Sequence, residues 1–462
     1  MAKRCATCLI FCFAFLACPP AEEEAPAFET IPYKYWVSGP EIKNQAGDTL
    51  YLRGMNVENT MKDIEGYLIE ISDEEITTLK ASGITMIRLL TFWTAINPEE
   101  GKIDHEYIDG YLALLKRLTD AGFWVVVDMH QDLWGQPFRS HGAPPWACPE
   151  ELQEGYETIS PWWANYASEQ VSACFDHFWD TPQLHEKFFD AWRVMAEQTC
   201  DNDMVLGFDV INEPYTGQIH MTEDFDIEYL MPFYEKAMAA IDEVCDDRLY
   251  FLEPSSLRVL GIAEAFDIPK AYEDRIVYSG HFYPRYVHEP EGGGYDGDKE
   301  ALIELFRKQF GPHIDADRAI WVGEYGGYTE SPNYELYLKD LHGYWEENKI
   351  HHAYWDYRAA DGYFNFRNAA KERKPVFDSV FPLPLPRRLP GGATVTPDYE
   401  TGQVDVSFKC TAGQTGEVLM PYETCGCVAA DDIFDNITKE DYLMIFECMA
   451  DGQVDLDCNC EE

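Results

Sequence analysis

Eight short apolar runs alternate with longer segments of helical periodicity, and this alternation limits the fold of the chain more than any other feature. In the segment Asp73–Ala81, for example, Ile76 and Leu79 keep the helical spacing and Gly83 provides a stop. Eight strands that alternate with helices over about 350 residues predict an α/β fold, the (β/α)8 TIM barrel. The predicted strands are Thr49–Val57, Ile84–Phe92, Phe123–Met129, Val205–Ile211, Leu249–Leu252, Ile276–Phe282, Ala319–Val322 and Ala353–Tyr357. The predicted helices are Asp73–Ala81, Tyr107–Ala121, Pro182–Thr199, Pro232–Val244, Lys299–Phe310 and Tyr334–Glu347.

A proline-rich break follows the predicted barrel of residues 33–382. Phe381–Pro390 contains four prolines, so we expect neither a helix nor an inner strand there. Beyond it, Ala393–Val406 and Gly416–Met420 alternate as short strands do. Residues 383–462 are therefore predicted to form a small β-rich, sandwich-like and Cys-rich domain. A long insertion is expected between strands three and four.

The N-terminus has the pattern of an export signal. Two basic residues precede the apolar run Cys8–Ala17, which is too short to span a bilayer. Residues 1–18 are therefore predicted to be a signal peptide, and residues 19–32 an acidic, proline-containing linker. The run ends at Cys18 in a pattern that resembles a bacterial lipoprotein signal, so lipidation of Cys18 and ordinary cleavage both stay open. Either outcome predicts a secreted or cell-envelope protein.

Ten cysteines follow Cys18, and an even number suits disulfides in an oxidising compartment. Cys425 with Cys427, and Cys458 with Cys460, form close pairs, for which a metal site is the alternative. Their one-residue spacing does not match that of zinc-binding motifs, so disulfides are predicted. The ten are Cys148, Cys174, Cys200, Cys245, Cys410, Cys425, Cys427, Cys448, Cys458 and Cys460.

The charge balance excludes one large class of partners. The chain has 83 Asp and Glu against 35 Lys and Arg, a formal net charge of −48. Such a charge repels phosphate backbones and anionic membrane surfaces, so we expect no nucleic-acid partner. Aromatic residues make up 14% of the chain, which is enough for a core and for rings that stack on sugars. Both roles stay open at this point.

Two glutamates follow apolar strands at matched ends of the predicted barrel, where this architecture carries its chemistry. Glu213 lies near the end of the run FDVINEP, and Glu324 follows the apolar part of AIWVGEYGG. Hydrolysis of a glycoside with retention needs two carboxyl groups about 5–5.5 Å apart, one as acid/base and one as nucleophile. One such glutamate is more often a helix cap or a surface charge, but two at matched strand ends predict a retaining glycoside hydrolase. Asn212 is placed to hydrogen-bond the sugar 2-hydroxyl.

With these residues in view, the chain resembles the glycoside hydrolase clan with catalytic glutamates on strands four and seven, and family 5 within it. The resemblance spans most of residues 33–382 and implies Glu213 as general acid/base and Glu324 as nucleophile. It also implies that Arg88 supports the nucleophile electrostatically, that Tyr283 orients it and that Trp355 forms the floor of the sugar site. The other matching positions are His130 in VVDMHQD, Asn212 beside Glu213, and His281 in SGHFYP.

The segment VVDMHQDLWG with the later SHGAPPWAC is similar to endoglycoceramidases, which cleave the bond between oligosaccharide and ceramide in glycosphingolipids. This similarity implies that Asp132 contacts the glucose unit at the cleavage site and that Gly142–Trp146 shapes the mouth. Lys62, shortly after strand one, and Trp146 are further candidates for the site. A β-sandwich after the barrel belongs to the same resemblance, and the terminal cysteine cluster departs from it.

A lipid aglycone needs an apolar strip beside a polar sugar pocket. Eight aromatic residues after strand three can form such a strip or pack the core of the insertion, and both interpretations stay open. The first interpretation predicts contact with a membrane or micelle surface through these loops. The eight are Trp134, Phe138, Trp146, Trp162, Trp163, Phe175, Phe178 and Trp179.

The leading hypothesis is a double-displacement enzyme that cleaves the glycan–ceramide linkage. The alternative is another family 5 β-glycosidase, namely a glucosylceramidase, a steryl glucosidase or a β-glucanase. A non-catalytic carbohydrate-binding protein on a barrel scaffold would not need both glutamates. His130, Asp132 and His281 lack the spacing of metal ligands, so we expect neither a metal nor a cofactor. The chain is expected to act as a monomer on a glycolipid or oligosaccharide.

Overall fold

Eight parallel strands close into a barrel, which confirms the predicted α/β fold. In the computed structural model, strands pair with their neighbours in chain order, and the last returns to the first, where His352 pairs with Arg53. Most of their residues are buried because the inner face fills the barrel and the outer face packs on helices. The barrel strands, called strands one to eight below, are Arg53–Val57, Met86–Thr91, Trp124–Met129, Val205–Asp209, Leu249–Leu252, Ile276–Phe282, Ile320–Tyr325 and His351–Tyr354.

Helices connect the barrel strands where the periodicity predicts them. Ser72 caps the helix Asp73–Ala81 with a capping box, and Asp104 caps His105–Asp120 by accepting a backbone N–H. The α-helices are Asp73–Ala81, Trp93–Ile96, His105–Asp120, Glu150–Gln153, Glu169–Trp179, Pro182–Thr199, Met231–Asp242, Ser256–Val259, Arg285–His288, Lys299–Asp315 and Tyr334–Glu347. Short 3-10 helices are Asn59–Lys62, Gln136–Phe138, Pro145–Ala147, Trp162–Ala167, Lys270–Tyr272 and Pro375–Phe377, and Asp226–Leu230 is a π-helix.

Two antiparallel sheets follow the barrel, as the β-rich pattern of the C-terminal region predicts. The larger sheet also takes in strands that precede the barrel, so residues 35–50 share a sheet with residues beyond 382. Its seven strands are, in spatial order, Tyr35–Ser38, Glu41–Asn44, Thr49–Leu50, Pro386–Leu389, Thr415–Leu419, Leu443–Cys448 and Phe434–Glu440. The smaller sheet has the order Ala393–Asp398, Gln403–Cys410, Gly452–Cys460 and Cys425–Ala429.

The expectation that Phe381–Pro390 contains no inner strand is wrong. Pro386–Leu389 lies inside the larger sheet, between Thr49–Leu50 and Thr415–Leu419. Proline occupies only the first position of this strand, where the lost N–H donor is tolerated. The four prolines therefore limit the length of the strand without preventing its pairing.

A hairpin formed by Tyr35–Ser38 and Glu41–Asn44 closes the floor of the barrel. Ile42 of this hairpin is buried in one apolar cluster with Trp124 and Trp321, which lie near the starts of strands three and seven. Apolar packing thus fills the end of the barrel at the strand N-termini. The site expected at the strand C-termini lies at the opposite end.

Disulfides join all ten cysteines that follow Cys18, as predicted. Cys148–Cys174 lies in the insertion between strands three and four, and Cys200–Cys245 joins residues that follow two barrel helices. The other three lie in the C-terminal sheets and are Cys410–Cys448, Cys425–Cys460 and Cys427–Cys458. The two Cys-x-Cys segments therefore cross-link each other.

The structure describes residues 33–57, 59–62, 66–259, 266–360, 363–429 and 434–460. The predicted signal peptide of residues 1–18, with Cys18, and the linker of residues 19–32 lie outside these residues. Within the described ranges, no helix has both the length and the apolar character that crossing a membrane requires.

Candidate active site

Glu213 and Glu324 lie together at the carboxyl end of the barrel. Glu324 belongs to strand seven, and Glu213 lies just past the end of strand four. One carboxylate oxygen of each glutamate and a ring nitrogen of His281 lie within 4.8 Å of one another. Glu324 is buried, whereas 33% of the Glu213 side chain is exposed. The two carboxyl groups therefore share one site but differ in their access to solvent.

Arg88, fully buried on strand two, draws the carboxylates of the site together. Its Nη1 donates to Oε1 of Glu324 at 2.7 Å. Burial alone would lower the pKa of the guanidinium, but the charges of Asp128, Asp209 and other carboxylates raise it well above its ordinary value. The guanidinium is therefore a fixed positive charge beneath the site. Its polar partners are Asn56, Asp128, Asp209, Asn212, Glu253 and Glu324.

Both carboxylate oxygens of Glu324 accept hydrogen bonds. Arg88 donates to Oε1, and the hydroxyl of Tyr283 donates to Oε2 at 2.9 Å. Burial, and then the charge of Glu324, raises the pKa of the Tyr283 hydroxyl well above its ordinary value, so Tyr283 keeps its proton. The two donors hold the Glu324 carboxylate in one orientation, which a nucleophile needs.

Glu213 extends into the site from a strained and well-anchored turn. Its φ is +41°, in the left-handed region that costs a non-glycine residue about 1–3 kcal/mol. Its backbone N–H donates to Oε2 of Glu253 at 3.0 Å. From the other side, Nε2 of Gln131 donates to the carbonyl oxygens of Asn212 and Glu213 at 2.9 and 3.0 Å. Strands three and five thus fix the backbone that carries the Glu213 carboxyl group.

His281 is buried among three carboxylates. Its Nδ1 lies 2.8 Å from Oε1 of Glu213 and 3.4 Å from Oε2 of Glu324. Its Nε2 lies 3.2 Å from Oε1 of Glu253. Burial tends to lower the pKa of the imidazole, but the charges of Glu253 and Glu324 and the hydrogen bond to Glu213 raise it well above its ordinary value. The ring is therefore an imidazolium whose Nδ1 is hydrogen-bonded to Glu213, while Nε2 lies close to Glu253 without hydrogen-bond geometry.

A second polar group forms around Asp132, just past strand three. Its Oδ2 lies 2.5 Å from Nζ of Lys62 and 3.6 Å from Nε2 of His130. Burial favours a higher pKa for Asp132, but Lys62 and His130 lower it well below its usual range, so the group is a carboxylate. Trp355 completes the group, because His130 stacks on its ring at 5.4 Å and Lys62 lies 4.5 Å from the ring centre. The structure thus joins Lys62, a further candidate, with three residues predicted to bind or support the substrate: His130, Asp132 and Trp355.

Asn212 is buried beside Glu213, and both polar atoms of its side-chain amide form hydrogen bonds. Its Oδ1 accepts from Nη2 of Arg88 at 2.8 Å, and its Nδ2 donates to the backbone oxygen of Gln131 at 2.9 Å. These contacts fix the orientation of the amide group. The hydrogen bond from Asn212 to a sugar 2-hydroxyl stays a prediction.

Trp146 packs beside the site and not among its carboxyl groups. The indole N–H donates to the backbone oxygen of Asn97 at 3.0 Å, and the ring packs edge-on against Trp93 at 5.3 Å. Gly142 makes this loop fit against strand three, since a Cβ there would lie 2.4 Å from the Cβ of Gln131. These contacts of Trp146 with Asn97 and Trp93 suit a residue that supports the loop at the mouth of the barrel.

The eight aromatic residues of the insertion divide between core and surface. Trp162 and Trp163 are 53% and 50% exposed, as is Ile159 on the same loop at 48%. Trp146 is half-buried. The other five are buried and pack the core of the insertion, namely Trp134, Phe138, Phe175, Phe178 and Trp179. Only the loop of residues 159–163 therefore offers an exposed apolar surface among these aromatic positions.

A cavity of about 280 Å³ opens beside Glu213, and aromatic rings form much of its wall. Tyr166 and Tyr215 pack against each other at 5.1 Å, and exposed Trp163 completes that wall. Asp132 is not among the lining residues, so the site adjoins a polar region and a separate, mainly apolar one. The lining residues are Trp163, Tyr166, Glu213, Tyr215, Glu253, Pro254, Ser256 and His281.

The sequence model of the cellulase family, glycosyl hydrolase family 5, matches residues 44–361. This match covers more than half of the chain. The chain belongs to glycosyl hydrolase family 5. The matched segment contains both glutamates, Arg88 and all eight strands of the barrel.

Relatives of this family 5 chain include enzymes named for glycolipid substrates. The endoglycoceramidase of Cyanea nozakii is 26% identical over 278 residues, which are 53% of this chain and 55% of that protein. The glucosylceramidase of Rhizopus delemar is 28% identical over 243 residues, which are 39% of this chain and 36% of that protein. The matches therefore span about half of the first relative and about a third of the second.

Solved structures share the fold of this family 5 chain. The endo-glycoceramidase II from Rhodococcus sp. in complex with ganglioside GM3 superposes with a TM-score of 0.80 at 22% identity. The superposition covers 92% of this chain and 100% of that structure. At this identity the likeness shows that the barrel and the C-terminal sheets have the same architecture.

Three buried carboxyl groups of the family 5 site were missed by the sequence reasoning. Glu253 directly follows the apolar run Leu249–Leu252 and precedes a proline, so LEP repeats the pattern of the NEP that marked Glu213. Asp128 and Asp209 are single acids inside apolar strands, which is a second usable signal. Their common partner, Arg88, lies too far away in sequence for local patterns to reveal it.

Proposed function

We propose that this chain is a retaining β-glycosidase that cleaves the glycan–ceramide linkage of glycosphingolipids. The separation of the two carboxyl groups supports retention. Oxygens of Glu213 and Glu324 within 4.8 Å of each other suit a direct attack on the sugar. An inverting enzyme places its carboxyl groups about 6.5–9.5 Å apart to leave room for a water.

The environments of the two glutamates support their separate roles. Glu324 is the nucleophile, since Arg88 and Tyr283 orient its carboxylate from both oxygens. It attacks the anomeric carbon as the glycosidic C–O bond breaks. Glu213 gives its proton to the leaving oxygen, and then takes a proton from the water that hydrolyses the glycosyl–Glu324 ester. Glu324 leaves as a carboxylate, so both groups return to their starting states.

The position of the apolar cavity carries the substrate assignment. Glu213, the proton donor, lines this cavity together with the rings of Trp163, Tyr166 and Tyr215. A leaving group that Glu213 protonates would lie against these rings, so the cavity suits an apolar aglycone such as ceramide. The polar group around Asp132 suits the sugar. The relatives named as endoglycoceramidases support this substrate class.

We also propose that the loop of residues 159–163 contacts the membrane or micelle that holds the lipid. Trp162 is exposed, and Trp163 is both exposed and part of the cavity wall, so the loop connects the bulk solvent with the aglycone site. Tryptophan favours the interface between water and lipid. The net charge of −48 opposes anionic lipid, so the expected surface is zwitterionic or neutral.

Export and a monomeric state complete the proposal. Five disulfides suit an oxidising compartment, which supports secretion or attachment to the cell envelope, with Cys18 as the residue for a lipid anchor. A monomer would suffice for activity, since one chain supplies both glutamates and the lining of the cavity.

The decisive experiment is incubation of the protein with ganglioside GM3 and with glucosylceramide in detergent micelles, followed by mass analysis of glycan and lipid products. We expect intact oligosaccharide and ceramide from GM3, and no product from Glu213→Gln or Glu324→Gln. Glucose from glucosylceramide, with GM3 intact, would instead support the second candidate, a glucosylceramidase, which the Rhizopus relative favours. Hydrolysis of neither lipid by the unaltered protein would contradict both.

A further inference from the structure

Glu253 is buried at the end of strand five, where no role in the reaction has been assigned to it. Its carboxylate touches three parts of the site. Oε1 lies 3.1 Å from Nη2 of Arg88 and 3.2 Å from Nε2 of His281, while Oε2 accepts the backbone N–H of Glu213 at 3.0 Å. The backbone of Glu253 is itself held, because the hydroxyl of Tyr234 donates to its carbonyl oxygen at 2.7 Å.

We propose that Glu253 is a positioning residue for proton transfer: it holds the His281 ring and the Glu213 backbone so that the acid proton of Glu213 faces the leaving group. This inference rests on the proposed function, in which Glu213 is the general acid. It concerns a residue that acts through two others and does not itself touch the reacting atoms.

The geometry around His281 determines which oxygen of Glu213 can carry the proton. Nδ1 of His281 is hydrogen-bonded to Oε1 of Glu213, and Nε2 lies 3.2 Å from Oε1 of Glu253 as an ion pair without hydrogen-bond geometry, so the imidazole lies between two carboxylates. An imidazolium donates from Nδ1, and Oε1 must then accept. The proton of the Glu213 carboxylic acid therefore lies on Oε2. His281 keeps its own proton in both steps, so the proton balance of the reaction is unchanged.

The charge of Glu253 is what keeps His281 in the donating form. The groups that face the imidazole are Glu213, Glu253, Glu324 and the ring of Tyr283, and Arg88 lies behind Glu253. Among the groups that raise the pKa of His281, Glu253 contributes most, ahead of Glu324 and Glu213. Loss of this carboxylate would therefore let the buried imidazole lose its proton at a lower pH.

Glu253 also stabilises the unusual backbone of Glu213. A non-glycine residue at a φ of +41° persists only when its surroundings hold it there. Oε2 of Glu253 accepts the backbone N–H of Glu213, which is the strained residue itself. The same carboxylate thus fixes both the backbone and the side-chain partner of the general acid.

The variant Glu253→Gln tests the proposal, because glutamine can keep a carbonyl acceptor for the Glu213 N–H while it loses the charge and the acceptor oxygen that face Arg88 and His281. Rates on aryl β-lactosides with different leaving groups distinguish two outcomes. Loss of proton transfer affects only substrates with poor leaving groups, whereas collapse of the site affects all of them. For a poor leaving group, which needs the acid, we expect kcat/KM to fall about tenfold or more; for 2,4-dinitrophenolate we expect a fall below about threefold. The alkaline limb of the pH profile for the poor substrate should move to lower pH, and Glu253→Asp should restore part of that shift.

The matched control is Asp226→Asn, which alters another buried carboxyl group that accepts the N–H of Ser255, two residues after Glu253. This control should keep the leaving-group dependence of the unaltered protein. Mass-detected labelling by a 2-deoxy-2-fluoro glycoside with an activated leaving group checks that Glu253→Gln folds with a working nucleophile. Equal losses for both aryl lactosides, or no loss for either, would overturn the assignment of Glu253.

A measurement that needs no substrate tests the role of Glu253 separately from the proposed function. The imidazole of His281 can be titrated by NMR, with its signal assigned by its absence in His281→Gln. In Glu253→Gln we expect the pKa of His281 to fall by about one pH unit or more. Lack of hydrolysis of any β-glycoside by the unaltered protein would contradict the proposed function, while an unmoved His281 pKa would contradict the role of Glu253 whatever the substrate.

Discussion

Nη1 of Arg88 and Oε1 of Glu324 lie 2.7 Å apart, so a guanidinium that cannot lose its proton orients the predicted nucleophile. Removing that carboxylate leaves the cation and a space beside the anomeric carbon. We expect Glu324→Gly to lower kcat by about 10⁴-fold. Azide or formate should enter the space, attack in place of the carboxylate and restore part of the activity on activated aryl glycosides.

The product of that rescue is the informative measurement. Azide that replaces Glu324 attacks from the opposite side to the leaving group, so NMR should identify an α-glycosyl azide from a β-glycoside. A Glu324→Gly protein with the activity of the unaltered chain would show that the nucleophile lies elsewhere. The exposed Glu223→Gly provides a control for loss of a carboxylate away from the site.

Glu213→Ala should divide substrates by the quality of their leaving groups. An alkyl or lipid alcohol needs protonation as it leaves, so we expect kcat/KM for such substrates to fall about 10³-fold. The glycosylation step with 2,4-dinitrophenolate needs no proton and should change little. Steady-state and pre-steady-state rates for both classes measure this difference, and uniform losses across the series would argue against Glu213 as the acid.

Trp162→Ser should weaken binding to neutral lipid vesicles. Trp162 is 53% exposed on the loop that leads to the cavity, so its ring is available to enter the lipid interface. Loss of this apolar area should lower the affinity for phosphatidylcholine vesicles about fivefold, measured by sedimentation. The control is Val428→Ser, which removes a residue that is 73% exposed on the C-terminal sheet. Equal binding of both variants and the unaltered protein would remove this loop from the proposed membrane contact.

The barrel could be predicted from the sequence because its determinants are local. Each strand is a short apolar run with breakers on both sides, and two of them, Leu249–Leu252 and Ile276–Phe282, have the predicted bounds. The larger C-terminal sheet was different. Thr49–Leu50 pairs there with Pro386–Leu389, and no local pattern reveals a partner so distant in sequence. Proline content alone then suggested a break where a short strand forms.

The site shows the same division between local and distant determinants. Glu213 and Glu324 could be predicted because each lies at or just past the carboxyl end of an apolar strand. The contact between Glu213 and Glu253 could not, since the backbone N–H just past one strand donates to a side-chain carboxylate just past another. The aromatic residues of the insertion could not be sorted into core and surface either. These residues are all Trp or Phe, so residue type does not distinguish them. Only the tertiary packing buries Phe175 and leaves Trp162 exposed.

Asp226→Asn should make stability less dependent on pH. Burial raises the pKa of the Asp226 carboxyl group from 3.8 to about 6, and its contact with Ser255, whose backbone N–H donates to it, lowers the pKa only in part. The folded chain therefore binds this proton more tightly than the unfolded chain. Its contribution to stability is fully present below pH 3.8 and is lost as the pH rises to 6, where the folded state must bury a charge.

Asparagine has no charge to bury and keeps an oxygen for the N–H of Ser255, which donates to Asp226 at 3.2 Å. Relative to the unaltered protein, Asp226→Asn should therefore gain up to about 3 kcal/mol in the free energy of unfolding between pH 4 and pH 7.5. Denaturant titrations at the two pH values measure this gain, with the exposed Asp224→Asn as control. A gain of the same size at pH 4 would mean that the effect comes from packing and not from titration of Asp226.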